Sequence, residues 1–186
     1  FKKGIAVRAS HHFDAQFGPR FVRLAFNSFT LAALAAVLAV LLSLLMAAAV
    51  RIRPSRLAML ANRLAGLGYV VPGAVIAVGI LIPVALLENA IDGVMRSVFG
   101  VSTGLLLTGT IAALIFAYLV RFLAVSLQTV EASLAKITPN MDDAARCLGA
   151  RPLGMLWRVH APLMWGSLLT AALVVFVEVM KELPAT

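Results

Sequence analysis

The chain has 186 residues, of which 62% are hydrophobic and 13% are charged, and its mean hydropathy is +0.99. Soluble proteins are typically about 45–50% apolar and about 25% charged, so this composition excludes an ordinary soluble domain as well as a disordered chain. The net charge is +8, but the basic residues do not form one face, so no nucleic-acid partner is expected. The single cysteine, Cys147, excludes a disulfide framework within the chain.

Four long runs without an ionised side chain follow one another along the sequence. They cover residues 24–50, 64–87, 97–120 and 159–177 and contain 27, 24, 24 and 19 residues. A helix needs about 20 mostly apolar residues to cross a bilayer. The sequence therefore predicts an all-α, multi-pass transmembrane helical bundle in the lipid bilayer, with four spans at about residues 24–50, 64–87, 102–126 and 162–182.

The remaining residues organise the chain around these spans. Residues 1–23 are expected to form a polar loop before the first span, and residues 24–186 to belong to one transmembrane domain. Within that domain, residues 127–161 are expected to form a long cytoplasmic loop.

Charge in the internal loops predicts the orientation in the membrane. Residues 51–63 and 121–160 carry nine basic residues, whereas the loop between 88 and 103 carries one, Arg96. Because positively charged loops stay in the cytoplasm, both basic loops are predicted to be cytoplasmic. Counting the two termini as well reduces the margin to nine against seven, so the orientation depends on the internal loops.

Small residues and prolines mark two of the runs. Close helix contact is predicted for the first run at Ala32, Ala36 and Ala39. The second run contains the helix-disfavouring residues Gly66, Gly68, Pro72, Gly73, Gly79 and Pro83. Such residues are common in membrane helices that pack closely or break. The second run is therefore either a kinked packing helix or a broken helix that lines a pathway.

The segment from Asn140 to Gly149 carries the signals of a short helix. Asn140 is the predicted N-cap, Asp142 and Asp143 lie in the first turn, and Gly149 follows the helix. The glycine is expected to adopt a left-handed conformation. A helix of this length is marginal alone, so it is expected to dock either on its own loop or on a partner.

The same segment resembles the EAA---G---------I-LP signature in the membrane subunits of bacterial ATP-binding-cassette importers. The matching positions are Asp143-Ala144-Ala145, Gly149, Val159 and Ala161-Pro162. Asp143, Val159 and Ala161 stand where the signature has Glu, Ile and Leu. The first two changes keep the carboxylate and the β-branch, whereas Ala161 removes apolar volume.

Further segments are similar to the carboxyl-terminal half of ferric-iron importer permeases. They are Asn27-Ser28, Leu67 to Gly73, Tyr118 to Phe122 and Glu178 to Thr186. The resemblance covers roughly residues 20–186. It implies that an earlier half and a closing helix lie outside this chain.

The resemblance implies a permease subunit of an ATP-driven solute importer in the bacterial inner (plasma) membrane. Such a subunit takes ferric iron from a periplasmic solute-binding protein and is coupled to separate ATPase subunits through the loop at 140–162. The residues implied in this coupling are Asp142, Asp143, Ala144, Ala145, Arg146, Gly149, Val159 and Pro162. A charge reversal is expected to cost more at Asp143, the acidic position of the signature, than at Asp142.

The ATP is expected to bind to the partner subunit, and the chain itself is expected to bind no cofactor and to be no enzyme. None of its four lysines precedes Ser or Thr, as the lysine of a phosphate-binding loop does. His11 and His12 are not expected to bind a metal, because adjacent side chains point in different directions. His160 is expected to lie at the membrane interface.

Several alternatives remain open at this stage. A permease for thiamine, polyamine or another small solute is the alternative within the same superfamily, and an intramembrane enzyme is the alternative from a different class. Glu178 and Glu182 form either an interfacial charge cluster or part of the path of a cation, because ionisable groups within a membrane usually face a cavity.

Overall fold

The computed structural model describes the backbone of residues 2–102, 104, 108 and 110–182, and side chains within these ranges from residue 20 onward. Every regular element in this part is helical, which confirms the all-α class. The elements are α1 (Lys2–Ile52), α2 (Arg56–Ala65), α3 (Gly73–Phe99), α4 (Ile111–Leu134), α5 (Pro139–Cys147), α6 (Pro152–Met155), a π-helical turn (Leu156–His160), α7 (Ala161–Leu163) and α8 (Trp165–Glu182).

Three of these helices are long and apolar enough to cross a membrane: Arg20–Ile52 within α1, α3 and α4. Helix α8 meets the same test together with the preceding Pro152–Leu163, from which it is bent by 80°. The described part of the chain therefore holds three candidate spans, or four if the bent pair is one span. This agrees with a multi-pass bundle.

Helices α1, α4 and α8 pack on one another and form the core. Ala32, Ala36 and Ala39 of α1 are buried, which confirms the helix contact predicted from their spacing. All three belong to one buried cluster, which we call the outer cluster (Ala32, Ala35, Ala36, Ala39, Tyr118, Phe122, Val175, Val179). A second buried cluster, the inner cluster, also joins these helices (Val40, Leu44, Ala47, Ala48, Leu127, Val130, Leu134, Ile137, Leu156, Met164, Leu168, Ala171). The inner cluster lies next to the loop that contains α5.

The expectation of a polar loop over residues 1–23 is wrong for the described backbone, because α1 is helical from Lys2 onward. Lys, Arg and Ala, which recur in this stretch, are good helix formers. Polarity keeps a segment out of hydrocarbon, but it does not prevent a helix.

The second predicted span, 64–87, is not one helix. Helix α2 starts after Ser55, whose hydroxyl accepts a hydrogen bond from the Ala58 amide at 3.1 Å, and ends at Ala65. A seven-residue break follows, and α3 runs from Gly73 to Phe99. Pro72 suits the start of α3 because proline has no N–H to leave unpaired. The segment is therefore broken between α2 and α3, and the role of this break in a pathway stays a prediction.

Helix α3 continues beyond residue 87 because its acidic side chains bind the loop that follows. Glu88 is 1% exposed and accepts hydrogen bonds from the amide and the hydroxyl of Thr108, both at 2.6 Å. Asp92 accepts hydrogen bonds from the Ser102 hydroxyl at 2.9 Å and the Gly104 amide at 3.2 Å. An ionised residue therefore does not mark the end of this helix.

The later helices also differ from their predicted bounds. Helix α4 occupies 111–134 where 102–126 was predicted, so Arg121 lies near its middle and not in a loop. Gly100, with a φ of 66°, ends α3, and Thr110 caps α4 through the Ala113 amide. The predicted 127–161 loop accordingly contains the last two turns of α4. Helix α8 begins at Trp165, three residues later than predicted.

The break between α2 and α3 lies directly against α4. A Cβ at Gly68 would overlap the carbonyl oxygen of Val120, and a Cβ at Gly73 would overlap the guanidinium of Arg121. Two segments that were similar to iron permeases, Leu67 to Gly73 and Tyr118 to Phe122, are thus in contact. Gly68 is required because only glycine lets the two backbones come this close, whereas a side chain at position 73 would displace the guanidinium of Arg121.

We predict that Gly68→Ala destabilises the bundle, because the new methyl group meets backbone that has no room to move. Overpacking of this kind costs about 1–3 kcal/mol, which lowers the thermal midpoint by about 2–4 °C per kcal/mol in a chain of this size. The measurement is thermal unfolding of the purified protein in detergent. Gly79→Ala is the control, since nothing lies within 4 Å of a Cβ there. Equal midpoints for the two variants would contradict the close approach.

Candidate functional site

Helix α5 is the short helix that the sequence predicted, with different capping at its start. It begins at Pro139, and Thr138 occupies the N-cap position without a side-chain capping bond. The assignment of Asn140 as N-cap is wrong, because a proline at the first position already fixes a helical φ. Asn140 lies inside the helix, and Asp142 is the acidic residue in its first turn.

The end of α5 is as predicted. Gly149 has a φ of 80°, which is the left-handed region. Its amide donates to the Arg146 carbonyl at 2.9 Å, and the Ala150 amide donates to the Ala145 carbonyl at 3.0 Å. This is the pair of hydrogen bonds of a Schellman motif, so the turn after α5 has a defined direction.

Asp142 points into the protein and holds α5 against two other elements. One of its oxygens, Oδ2, lies 2.7 Å from Nε of Arg51 at the end of α1. The other, Oδ1, lies 2.8 Å from Nε2 of His160 at the end of the π-helical turn. His160 is 0% exposed, so the expectation of an interfacial histidine is wrong. We call Arg51, Asp142 and His160 the buried triad.

Arg51 makes two further hydrogen bonds with its remaining nitrogens. Nη1 donates to the Leu134 carbonyl, the last residue of α4, and Nη2 donates to the Ile137 carbonyl, both at 2.6 Å. Terminal carbonyls of a helix have no partner within the helix. Arg51 therefore satisfies the end of α4 and the turn before α5 while it neutralises Asp142.

The charge of Asp142 is stable at neutral pH. Burial by itself would raise the pKa of this carboxyl, but the hydrogen bonds from His160 and Arg51 and the charge of Arg51 lower the pKa below its ordinary value of 3.8. An ionised carboxylate only accepts hydrogen bonds, so Nε2 of His160 carries the proton that it donates. In the triad, Asp142 and Arg51 thus form an ion pair, and His160 donates a hydrogen bond to the other oxygen of the carboxylate.

The opposite face of α5 is open. Asp143 is 65% exposed at its side chain and forms only a loose pair with Arg146, at 3.2 Å. Ala144 and Cys147 are also exposed, and the side chain of Leu148 is 88% exposed. Ala145, by contrast, is buried beside Asp142. The predicted coupling residues therefore divide between an inner face that holds α5 and an outer face that is free in the described structure.

Val159 and Pro162 lie away from α5, in the bent segment before α8. Val159 is half-buried in the π-helical turn, and Pro162 is exposed in α7. Pro162 and Ala161 border an apolar cavity of about 730 Å³ between α1 and α8, which Trp157 and Trp165 also line. The signature positions at 159–162 thus form the joint between the loop and α8, not part of the outer face of α5.

Glu178 and Glu182 are both paired with cations. Glu178 lies 2.6 Å from Lys181, and Glu182 lies 2.7 Å from Arg121 of α4. Glu182, Lys181 and Arg121 line a cavity of about 510 Å³ that reaches the start of α3. Glu178 is not among the residues that line it. Of the two predicted pathway residues, Glu182 therefore lines this cavity and Glu178 does not, and the pathway role of both stays a prediction.

Sequence reasoning did not find three residues of these sites: Arg51, Arg121 and His160. Both arginines were counted only as loop charges, although an arginine among apolar residues is a signal of a buried partner. His160 lay in an uncharged run, with no partner nearby in sequence. No group of three His, Cys, Asp or Glu side chains that would hold a metal is present among the described residues, and the side chains of His11 and His12 lie outside them.

The chain is similar in sequence to a known iron permease. The chain is 30% identical over 161 residues to the Fe(3+)-transport system permease protein FbpB 2 of Haemophilus influenzae. The aligned part is 86% of this chain and 28% of the relative, so the chain spans less than a third of that protein's length. No protein-family profile matches the chain. The match confirms the kinship that the short motifs indicated.

We predict that Asp142→Asn strongly destabilises the protein, whereas Asp143→Asn does not. The neutral amide that replaces the Asp142 carboxylate would face a donor on either side, and breaking a buried ion pair from one partner costs about 3–5 kcal/mol. The exposed pair of Asp143 is worth less than about 1 kcal/mol. The measurement is thermal unfolding in detergent, with the two variants compared under one condition. Similar midpoints would show that Asp142 is not buried and paired in solution.

Proposed function

We propose that this chain belongs to the ferric-iron permease family of ATP-binding-cassette importers and is part of the membrane-spanning subunit of an importer for ferric iron. The apolar helices support a multi-pass membrane protein, and the related iron permease supports the transport of iron. We place the subunit in the bacterial inner membrane, where it would receive its substrate from a periplasmic binding protein. A permease for thiamine or polyamine remains the alternative.

The two-sided arrangement of α5 is the observation that supports a transporter coupled to a partner. Its inner face is fixed to the bundle by the buried triad, with hydrogen bonds of 2.7 and 2.8 Å to Asp142. Its outer face presents Asp143, Arg146 and the strongly exposed Leu148. A helix whose inner face is fixed to the bundle and whose outer face is exposed is suited to transfer force from a partner that binds the outer face.

The partner that we propose is the ATPase subunit of the importer. Binding interfaces commonly join an apolar centre to charged groups that set the register, and the outer face of α5 offers both. Leu148 and Met141, which is 47% exposed, supply apolar surface, and Asp143 supplies the charge. In the resemblance to the importer signature, Asp143 also holds the acidic position. A cationic groove on the ATPase is the complement to this surface.

Glu182 is the residue that we place on the translocation path. Its ion-pair partner, Arg121, lies ten residues after Ile111, the first residue of α4. Ten residues of helix correspond to about 15 Å. Charged groups at such depth usually face a cavity, and the 510 Å³ cavity is beside them. The break before α3 leaves Gly73 at the wall of the same cavity. Broken membrane helices line substrate pathways in other transporters.

We predict that Asp143→Lys reduces ferric-iron uptake by about tenfold or more, because like charges at a docking surface cost several kcal/mol and about 1.4 kcal/mol is a factor of ten. The measurement is uptake of radioactive ferric iron by cells that express the complete gene product with its ATPase, together with co-purification of that ATPase. Membrane insertion should not change, since the side chain is outside the core.

Glu131→Lys is the matched control, because it makes the same charge change at the same end of the bundle but on α4. Equal loss of uptake in both variants would contradict a specific contact at Asp143. Uptake of thiamine or a polyamine by the wild type, with no uptake of ferric iron, would contradict the proposed substrate and favour the alternative permease.

The ion pair of Glu182 gives a second prediction, which separates pairing from transport. The single variants Arg121→Glu and Glu182→Arg should both lose stability, because each places two like charges 2.7 Å apart. The double variant restores the pair and should restore thermal stability. It should not restore iron uptake, because the carboxylate now comes from α4 instead of α8. Full recovery of uptake would assign Glu182 to structure alone.

A further inference from the structure

We infer that Arg51 is the positioning residue through which a movement of α5 reaches α1, an inference that rests on the proposed coupling role of α5. Helix α5 is joined to α4 by a short turn and to α8 through α6 and the bent segment. Helix α1 has no such connection, since Arg51 and Asp142 are 91 residues apart in the sequence. A force on α5 can therefore reach α1 only through contacts.

Arg51 is built to carry such a force because its three nitrogens bind three different points. Nε binds the carboxylate of α5, Nη1 the last carbonyl of α4, and Nη2 the carbonyl of Ile137 in the intervening turn. The guanidinium is planar and rigid, so the three bonds share one orientation. The end of α1 is thus fixed to α4, the turn and α5 together.

The surroundings make this connection stiff. The side chains of Arg51 and Asp142 are 18% and 9% exposed, and hydrogen bonds shielded from water are stronger than those on the surface. Directly above them, Leu44 and Ala48 of α1 pack with Ile137 and Leu156 in the inner cluster. Close-packed interiors transmit displacement with little compression. Helix α1 is therefore expected to follow α5.

His160 fixes the other side of the carboxylate. Its Nε2 holds Oδ1 of Asp142 while Arg51 holds Oδ2, so the carboxylate cannot turn away from α1 when α5 moves. His160 itself lies at the joint before α8. The carboxylate thus binds the end of α1 and the joint before α8 directly, and it is linked to the end of α4 through Arg51.

The inference is tested by the ratio of iron taken up to ATP hydrolysed, measured on reconstituted complexes of the complete gene product with its ATPase. Arg51→Lys keeps the charge but replaces the three fixed donors with one ammonium group, and Arg51→Gln removes the charge as well. Both variants should lower the ratio by about fivefold or more, the range of typical coupling free energies. Arg53→Lys and Arg53→Gln, at an exposed neighbouring position, should retain it.

A purely structural role gives a different result, which would overturn the inference: less complex is recovered, but each assembled complex keeps the wild-type ratio. If neither Arg51 variant assembles, His160→Leu and His160→Gln replace them. Leucine removes the donor to Asp142 and should lower the ratio, whereas glutamine supplies an N–H and should retain most of it. Equal ratios for these two variants would overturn the inference. Failure of the wild type to bind the ATPase would instead contradict the proposed function, before any variant is compared.

Discussion

One buried carboxylate, that of Asp142, determines how the loop between α4 and α8 sits on the bundle. Its two oxygens bind Arg51 and His160, which lie 91 and 18 residues from it in the chain. A buried charge is tolerated only when it is paired and hydrogen-bonded, so the three side chains require one another. Because Asp142 points inward, the helical period directs Asp143 outward, about 100° away. The position of the proposed ATPase contact follows from the position of the ion pair.

The second charged contact inside the bundle, between Arg121 and Glu182, has a comparable influence on the opposite part of the core. It joins α4 to α8 at the level where the chain breaks before α3, and Gly73 leaves room there for the guanidinium. The break, the two glycines and the ion pair therefore form one arrangement. Three of the segments that are similar to iron permeases, around residues 70, 120 and 180, therefore lie together in the structure although they are far apart in sequence.

The sequence predicts those features that depend on local chemistry. The left-handed turn at Gly149 follows from glycine after a short helix, and the buried face of Ala32, Ala36 and Ala39 follows from their spacing. Features that depend on distant partners were missed. The ionised residues Glu88 and Arg121 ended two of the uncharged runs, yet they lie inside helices, where Thr108 and Glu182 bind them. Sequence alone also cannot tell which of two adjacent aspartates faces inward, since that choice requires knowing that Arg51 is near. The expectation of a milder charge reversal at Asp142 is therefore replaced by the prediction that Asp142 is the more sensitive position for folding.

The central claim is that the inner end of α1 and α5 move as one unit. It is tested most directly by measuring, with spin labels, the distance between Cys147 on α5, which is exposed, and a cysteine placed at Arg53 beyond α1. The complex would be compared without nucleotide and with trapped ATP, after replacement of any other reactive cysteine. A second distance, between Cys147 and a label at Val98 on α3, shows whether the core has moved, because α3 lies outside the three-helix core. If α1 and α5 move as one unit, the 53–147 distance stays constant while the 98–147 distance changes. A change in the 53–147 distance between the two states would contradict it.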